Sequence, residues 1–512
     1  MAEVINEIVW DEPIVLHPGM DYKDGTTYFT VPLRRTVLVP SKKKDVAPTQ
    51  KTEQQTYAVS SERSGIWYDK EALEAHGFVT VPMLYVETES RWTLKSVKDF
   101  LDGKASGPKS ADLLSEIRTI YTKYVEFADE AYYDIMALFI LYTYVFRIFE
   151  STGYLHFNGT AASGKSRNLA LLNAFAFNNV LASSMSAASL YRKLAGSPGT
   201  TCIDESEGFE GERGEELRRI LNSGYKLGAK VYRTEKNEND VYKPVEYEVF
   251  GPKALASINQ LDNVIGSRCL IVAMRPAIRE LPDFIGSDPA WSETRDRLYL
   301  WAMENTAALA AMRDQWRDIA PTAKKARLAS RLIGRQWETA GQLIILADYI
   351  GGEKFATQII DFMNGYFAKQ QEAVDATDRI RTSLRCLPRV LATMSYTDDH
   401  LYSAADIREV IAEYMDADST EFFKTKHSTK NLNVLGFKHT VRQNGGLRIQ
   451  LLEEAVRNEI KQRRVEPFPE DEAWLRGEVS YQQAQTLNLA PTRTEGPPNW
   501  WDKETDDDPS TA

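Results

Sequence analysis

The octapeptide Gly159-Thr160-Ala161-Ala162-Ser163-Gly164-Lys165-Ser166 constrains this chain more than any other stretch, because it satisfies G-x-x-x-x-G-K-S in full. Its glycines let the backbone turn tightly enough to aim successive N–H groups at phosphate oxygens. Lys165 supplies positive charge for β- and γ-phosphates, and the Ser166 hydroxyl is a ligand for Mg²⁺. The flanks agree. GYLHFNG reads as a short apolar strand and SRNLALLNAFAF as a helix, which would set an anion at a helix N-terminus. The expected cofactors are ATP and Mg²⁺.

Thirty-nine residues beyond Lys165, the run TTCIDE reads as a strand ending in Asp204 and Glu205. A carboxylate pair in that place suits hydrolysis: Asp204 holds Mg²⁺ through water and Glu205 polarises the attacking water. A further strand, KALASIN, ends in Asn259, which either orients that water or caps the following turn. Strands alternating with helices from Gly153 onward predict a parallel sheet covered by helices, an α/β P-loop core.

With these three strands in order, residues 153–352 resemble the AAA+ ATPases. More narrowly they resemble the branch with a β-hairpin before the third signature strand. That branch holds superfamily-3 helicases, minichromosome-maintenance helicases and the helicase portions of mobile-element primase–helicases. The match lies in GTAASGKS, CIDESEGF, the block from LNSGYKLGAKVYRT to SRCLIVAMR, and GRQWETAGQLIILADYIGG at 334–352. No primase motif is visible. The resemblance implies a ring homo-oligomer, a hexamer, with ATP at subunit interfaces and Arg268 reaching the neighbour's γ-phosphate. It implies that Arg335 is the lid arginine, with Arg331 as competitor. It also implies a hairpin of AKVYRT and VYKPVEYEVF that grips DNA through Lys236, Arg233 and Lys243. Glu235, Glu238 and Asp240 leave the turn at 235–240 net negative, so a merely solvated hairpin stays open.

The rest of the chain frames that core. Residues 1–110 read as a β-rich accessory domain with a mobile loop at 41–55, and 111–150 as a helical connector. The core spans 151–284 and a helical lid 285–395. Residues 396–465 outline a winged-helix-like domain: a helix capped by Ser403, then strands flanking Asn444-Gly445-Gly446. Lys424, Lys426, Lys430, Lys438, His439 and Arg442 bias it positive, suiting either duplex origin DNA or a replication protein. From Glu466 there are 11 acidic and 3 basic residues, a balance of −8, so 466–512 reads as an acidic disordered tail. Of the net charge of −11, only −3 remains for the body, which neither favours nor excludes nucleic acid.

Cys202, Cys269 and Cys386 lie too far apart to suggest a metal site, and read as buried thiols. No signal peptide is visible. The uncharged run from Ile135 to Phe146 is 12 residues, too short to span a bilayer, so a cytoplasmic protein is expected. The leading expectation is an ATP-dependent DNA helicase or translocase, a replicative motor of a mobile genetic element that moves single-stranded DNA. The alternatives are an ATP-switched DNA-binding initiator without processive unwinding, and an AAA+ ATPase acting with a protein partner.

Overall fold

The computed structural model describes residues 14–39, 49–80, 89–181, 186–204, 211–236, 242–258, 261, 263–319, 323–377, 379–393, 400–414, 437, 448–463, 465, 467–468 and 471–478. The chain divides into two compact units, residues 1–365 and 366–512.

The first unit begins with short strands β1 (Ile14–Leu16) and β2 (Met20–Lys23) and long strands β3 (Thr26–Val39) and β4 (Thr49–Ser60). β5 (Gly65–Trp67), helix α1 (Lys70–Glu74) and β6 (Phe78–Thr80) follow. β2-β3-β4-β5 form an antiparallel sheet, and β1 pairs in parallel with β6. Residues 49–55, expected in a loop, belong to β4: Gln50, Thr52 and Gln54 pair with Leu38, Thr36 and Arg34. A polar strand of this kind carries no hydrophobic alternation to read.

These strands are not an independent domain. Phe29 of β3 packs at 5.3 Å against Phe177 and at 5.1 Å against Tyr299, and Trp92 stacks on Tyr299 at 5.1 Å. Helices α2 (Leu94–Leu101), α3 (Ser110–Tyr124) and α4 (Ala131–Thr143) lead to a 3-10 turn at Phe146–Ile148. Every residue of α4 from Tyr133 to Thr143 is buried. Asp134 is admitted among them because Arg118 Nε donates to it at 2.9 Å. Among the described residues no helix is long and apolar enough to cross a membrane.

The core follows as β7 (Tyr154–Asn158), α5 (Lys165–Phe175), β8 (Val180–Leu181), α6 (Ala187–Gly196), β9 (Thr201–Ile203) and α7 (Gly211–Ser223). Next come the hairpin β10 (Lys230–Lys236) and β11 (Tyr242–Glu248), then β12 (Lys253–Ser257), α8 (Asn263–Gly266) and β13 (Cys269–Ala273). β13-β7-β12-β9-β8 make one sheet, parallel throughout, flanked by helices. The chain's order and the sheet's order differ, so connections cross over on either side of β7. Helices α9 (Trp291–Arg317), α10 (Lys324–Ala329) and α11 (Arg335–Thr377) complete the helical run, and α11 breaks at Gly352, where φ is 67°.

In the second unit, α12 (Arg379–Thr393), β14 (Leu401–Ser403), α13 (Ala404–Tyr414), β15 (Arg448–Gln450), α14 (Glu453–Arg463) and α15 (Glu472–Arg476) enclose a core. That core contains Leu387, Ile407, Ile449, Val456 and Trp474. β14 pairs antiparallel with β15, and Ser403 Oγ accepts from Ala405 N at 3.3 Å. The expected wing turn at Asn444-Gly445-Gly446 and the basic cluster Lys424 to Arg442 lie outside the described residues. The expectation of disorder from Glu466 is corrected for residues 471–478, because Trp474 is buried and Asp471 pairs with buried Arg389 at 3.3 Å; residues 479–512 lie outside the described residues. Averaging charge over the acidic stretch hid these two anchors.

Lys253 is fully buried at the start of β12, and Nζ donates to the carbonyls of Gly224, Val249 and Gly251 at 3.1, 3.0 and 2.9 Å. Burial pushes its pKa down to about 7. The unfolded chain then binds more protons than the folded one from about pH 7 up to the ordinary lysine range, so this residue makes stability rise with pH there. Lys253→Met should destabilise the fold by roughly 1–3 kcal/mol, leaving three carbonyls unpaired. In denaturant titrations the wild type's advantage should widen from pH 7 to 9. An advantage independent of pH would contradict this account.

Candidate phosphate and hairpin sites

The loop after β7 has the strained backbone its sequence suggests. Gly164 caps α5 with φ of 87°, and Ala162 has φ of 60°. A Cβ on Gly159 would collide with the Met274 carbonyl, so glycine is required where β7 and β13 end side by side. Lys165 Nζ donates to the carbonyls of Gly159 and Thr160 at 2.6 and 2.7 Å, which folds it over the loop. Ser163 Oγ is buried with no hydrogen-bond partner among the described residues. The turn thus presents the start of α5, a primary amine and an unspent hydroxyl to one hollow.

Parallel pairing brings the acidic strand to that hollow. Ser166 Oγ donates to Asp204 Oδ2 at 3.1 Å, although 38 positions separate them. These are hard oxygen donors of the kind that hold Mg²⁺ together with phosphate and water. Among the described residues no group of three or more His, Cys, Asp or Glu side chains could hold a metal by itself. Ser257 at the end of β12 pairs with Asn158, and Asn158 Nδ2 donates to Ile258 O at 3.0 Å. Glu205 and Asn259 lie outside the described residues.

Sequence reasoning missed the wall beside this loop. A cavity of about 460 Å³ is lined by Tyr124, Glu126, Lys165, Met274, Arg275 and Arg279. The segment after β13 is tied down across it: Glu126 accepts from the backbone N–H groups of Ile278 and Arg279 at 3.2 and 3.0 Å, and Arg279 donates to Val125 O at 2.7 Å. No motif marks these residues, because three separate segments supply them.

Arg268 and Arg335 stand at the other end of the strands. Tyr154, the first residue of β7, donates its N–H to Arg268 O at 2.9 Å. Ser151, just before β7, donates to Glu338 O at 3.1 Å, one turn into the helix that starts at Arg335. The five residues of β7 place the phosphate loop about 13 Å away along the strand. Arg335, expected as the lid arginine, sits here with Arg268, and both guanidiniums face the Tyr225 ring.

The hairpin has two unlike faces. Val231, Arg233 and Glu235, with Val245 and Tyr247, turn toward α6 and α7. Arg233 pairs with Glu216 at 2.5 Å and lies over the Tyr191 ring. This pairing ties the inner face of the hairpin to α7. The opposite face carries Lys230, Tyr232, Lys236 and Tyr242, all exposed, with Lys236 over the Tyr242 ring at 5.4 Å. Lys243 is exposed, at the register position opposite Glu235. The two tyrosines were missed because a run of alternating aromatics reads first as a buried strand.

No protein-family model matches the chain, and no curated protein sequence does. Three solved structures share some of its arrangement. A full-length MCM homologue from Methanopyrus kandleri is 11% identical with a TM-score of 0.33, over 66% of this chain and 78% of that one. The C-terminal region of NrS-1 is 14% identical with a TM-score of 0.31, over 78% and 94%. SCCmec type IV Cch, an active helicase, is 11% identical with a TM-score of 0.30, over 74% of each. At such scores the chain's own geometry has to carry the reading of its function.

Gly159→Ala should force β7's loop away from Met274. Binding of a fluorescent ATP analogue with Mg²⁺ should weaken at least tenfold, about 1.4 kcal/mol, with melting temperature shifted by only a few degrees. Undiminished binding would show that the loop does not need the close approach.

Proposed function

We propose that this chain is an ATP-hydrolysing motor that assembles into a ring, a hexamer, and moves single-stranded DNA as a helicase or translocase of a mobile genetic element. The observation that carries the reading is the division of labour across one sheet. Ser166 and Asp204 meet at the phosphate edge, while Arg268 stands at the far edge. Within a single copy Lys165 serves the β- and γ-phosphates while Arg268 stands about 13 Å away along β7, so a second copy's Arg268 supplies the further cation at the terminal phosphate. Rate enhancement then depends on assembly, since the charge that stabilises the transition state arrives from outside.

Within one copy, the loop amides from Gly159 to Ser166 and the Lys165 amine hold the phosphates. Ser166 and Asp204 hold Mg²⁺, which draws charge from the phosphate oxygens. The adenosine fits the cavity between Tyr124 and Arg279. Glu205 takes the role of base for the attacking water, and Asn259 orients that water.

The DNA-facing group is the exposed hairpin face. Lys236 neutralises phosphate, and Tyr232 and Tyr242 offer planes on which any base stacks, so grip is independent of sequence; Lys230 pairs with Glu246 across the hairpin. The second unit is proposed to contact duplex origin DNA or a replication protein.

Glu205→Gln should bind ATP normally and lower turnover at least a hundredfold, measured by phosphate release beside analogue binding. A Glu205→Gln enzyme with normal turnover would remove this carboxylate from the chemistry. On the hairpin, Lys236→Ala and the double change Tyr232→Ala with Tyr242→Ala should each spare basal ATPase and lose its stimulation by single-stranded DNA, together with strand displacement. Unwinding at the wild-type rate by either variant would remove the hairpin face from the mechanism.

A further inference from the structure

Tyr225 gathers three cations at the edge of the sheet opposite the phosphate loop. The guanidinium carbons of Arg268 and Arg335 lie 4.8 and 4.3 Å from its ring centroid, and the Lys226 ammonium lies 5.6 Å away. Glu338 is 2.9 Å from both Lys226 and Arg335. Glu338 is thus shared by two of the three cations. Arg268 Nε is buried there with no hydrogen-bond partner among the described residues. The backbone that carries the ring is tied down, because the Tyr225 main-chain carbonyl accepts from Thr152 N at 2.8 Å in the lead-in to β7.

We propose that Tyr225 is a positioning residue that presents Arg268 and Arg335 as a pair to the terminal phosphates of a nucleotide bound by a second copy of this chain. The proposal rests on the split site described above. A carboxylate could also fix a guanidinium plane, but it would cancel the charge the phosphate requires. An aromatic face orients the Arg268 fork without neutralising it: one terminal N–H group donates to the Val264 carbonyl and Nε stays unpartnered among the described residues, while Arg335 shares Glu338 with Lys226. Surplus positive charge on one platform fits an anion with several oxygens, which two guanidiniums can grasp together. That anion is not the chain's own phosphate group, which β7 holds about 13 Å away.

Tyr225→Phe keeps the ring and should stay within about threefold of wild-type kcat, whereas Tyr225→Leu should lower kcat by roughly thirty- to a hundredfold. Affinity for an ATP analogue should change less than about threefold in both, because Lys165 and its loop are untouched. Tyr225→Met serves as a second ring-less variant should the leucine chain fail to fold. The decisive measurement is co-assembly with Lys165→Ala subunits, which bind no nucleotide but carry an intact arginine pair. A mixture of Tyr225→Leu and Lys165→Ala should show more ATPase than the sum of the two alone, as should a control mixture of Arg268→Ala and Lys165→Ala. Recovery in the control without recovery for Tyr225→Leu overturns the role of Tyr225 and leaves the split site standing. No recovery in either mixture overturns the split site and this proposal with it. Equal losses of kcat in the Phe and Leu variants overturn the ring as the cause.

Discussion

Parallel pairing of β7 between β12 and β13 is the constraint on which the remaining features depend. Asn158 lies opposite both Ser257 and Ala273, and Tyr154 lies opposite Cys269. That register brings the loop beginning at Gly159 level with the ends of both neighbouring strands. It also places the residues before Cys269 at the opposite edge. A slip of one residue would turn Phe157 and Leu155 to the other face of the sheet, and strands buried on both sides penalise that heavily. The collision that any side chain at Gly159 would make with Met274 is the local expression of the same close fit. Two ends of opposite chemical character follow from one register: backbone amides and a lysine at one, and Arg268 and Arg335 with the single carboxylate of Glu338 beside Arg335 at the other.

A second layer of order comes from groups that are expensive to bury. Arg147 is nearly inaccessible, yet it meets Asp21 of β2 at 3.6 Å and Glu248 of β11 at 3.2 Å. Burial works against ionising Asp21, but His17, Arg147 and Lys23 together hold its carboxyl below the usual range. Removing one partner from such a cluster leaves an uncompensated charge inside, so each member fixes the others' positions. The base of the hairpin is tied in this way to the amino-terminal strands. Lys253 acts similarly on the other side, drawing the end of α7 and the exit of β11 onto β12 through three carbonyls.

Much of the site was legible because its chemistry is local. The glycines, Lys165 and Ser166 occupy eight consecutive positions, and the strand carrying Asp204 is apolar for reasons its neighbours make plain. What escaped was set by contacts between distant segments. Nothing around Phe29 announces that it packs on Tyr299, so the first 110 residues looked separable. Arg233 and Lys236 look alike in sequence, but strand alternation turns one toward Glu216 and the other outward. Arg335 was read by its place after Gly334, whereas its position beside Arg268 is set by which strand end the helix meets. The Trp474 anchor was overlooked because charge density was averaged over residues that do not act together. The wing turn, Glu205 and Asn259 rest on sequence alone.

α7 connects the three features that a motor of the proposed kind must coordinate. The helix begins seven residues after Asp204 and ends two residues before Tyr225. Midway, Glu216 holds Arg233 of the hairpin, and Ile220 packs in one cluster with Val231 and Tyr247. A helix of 13 residues is about 20 Å long and nearly inextensible, since stretching it would break its hydrogen bonds. Displacement at one end is therefore passed to the hairpin and to the arginine platform rather than absorbed. In the proposed motor, a change at the phosphates beside Asp204 would bear on the start of α7. In the proposed ring, a neighbour's phosphate engaging Arg268 and Arg335 would bear on the Tyr225 ring just beyond its end. The hairpin, anchored between, is where both loads meet, and the exposed tyrosine–lysine face lies on its outward side.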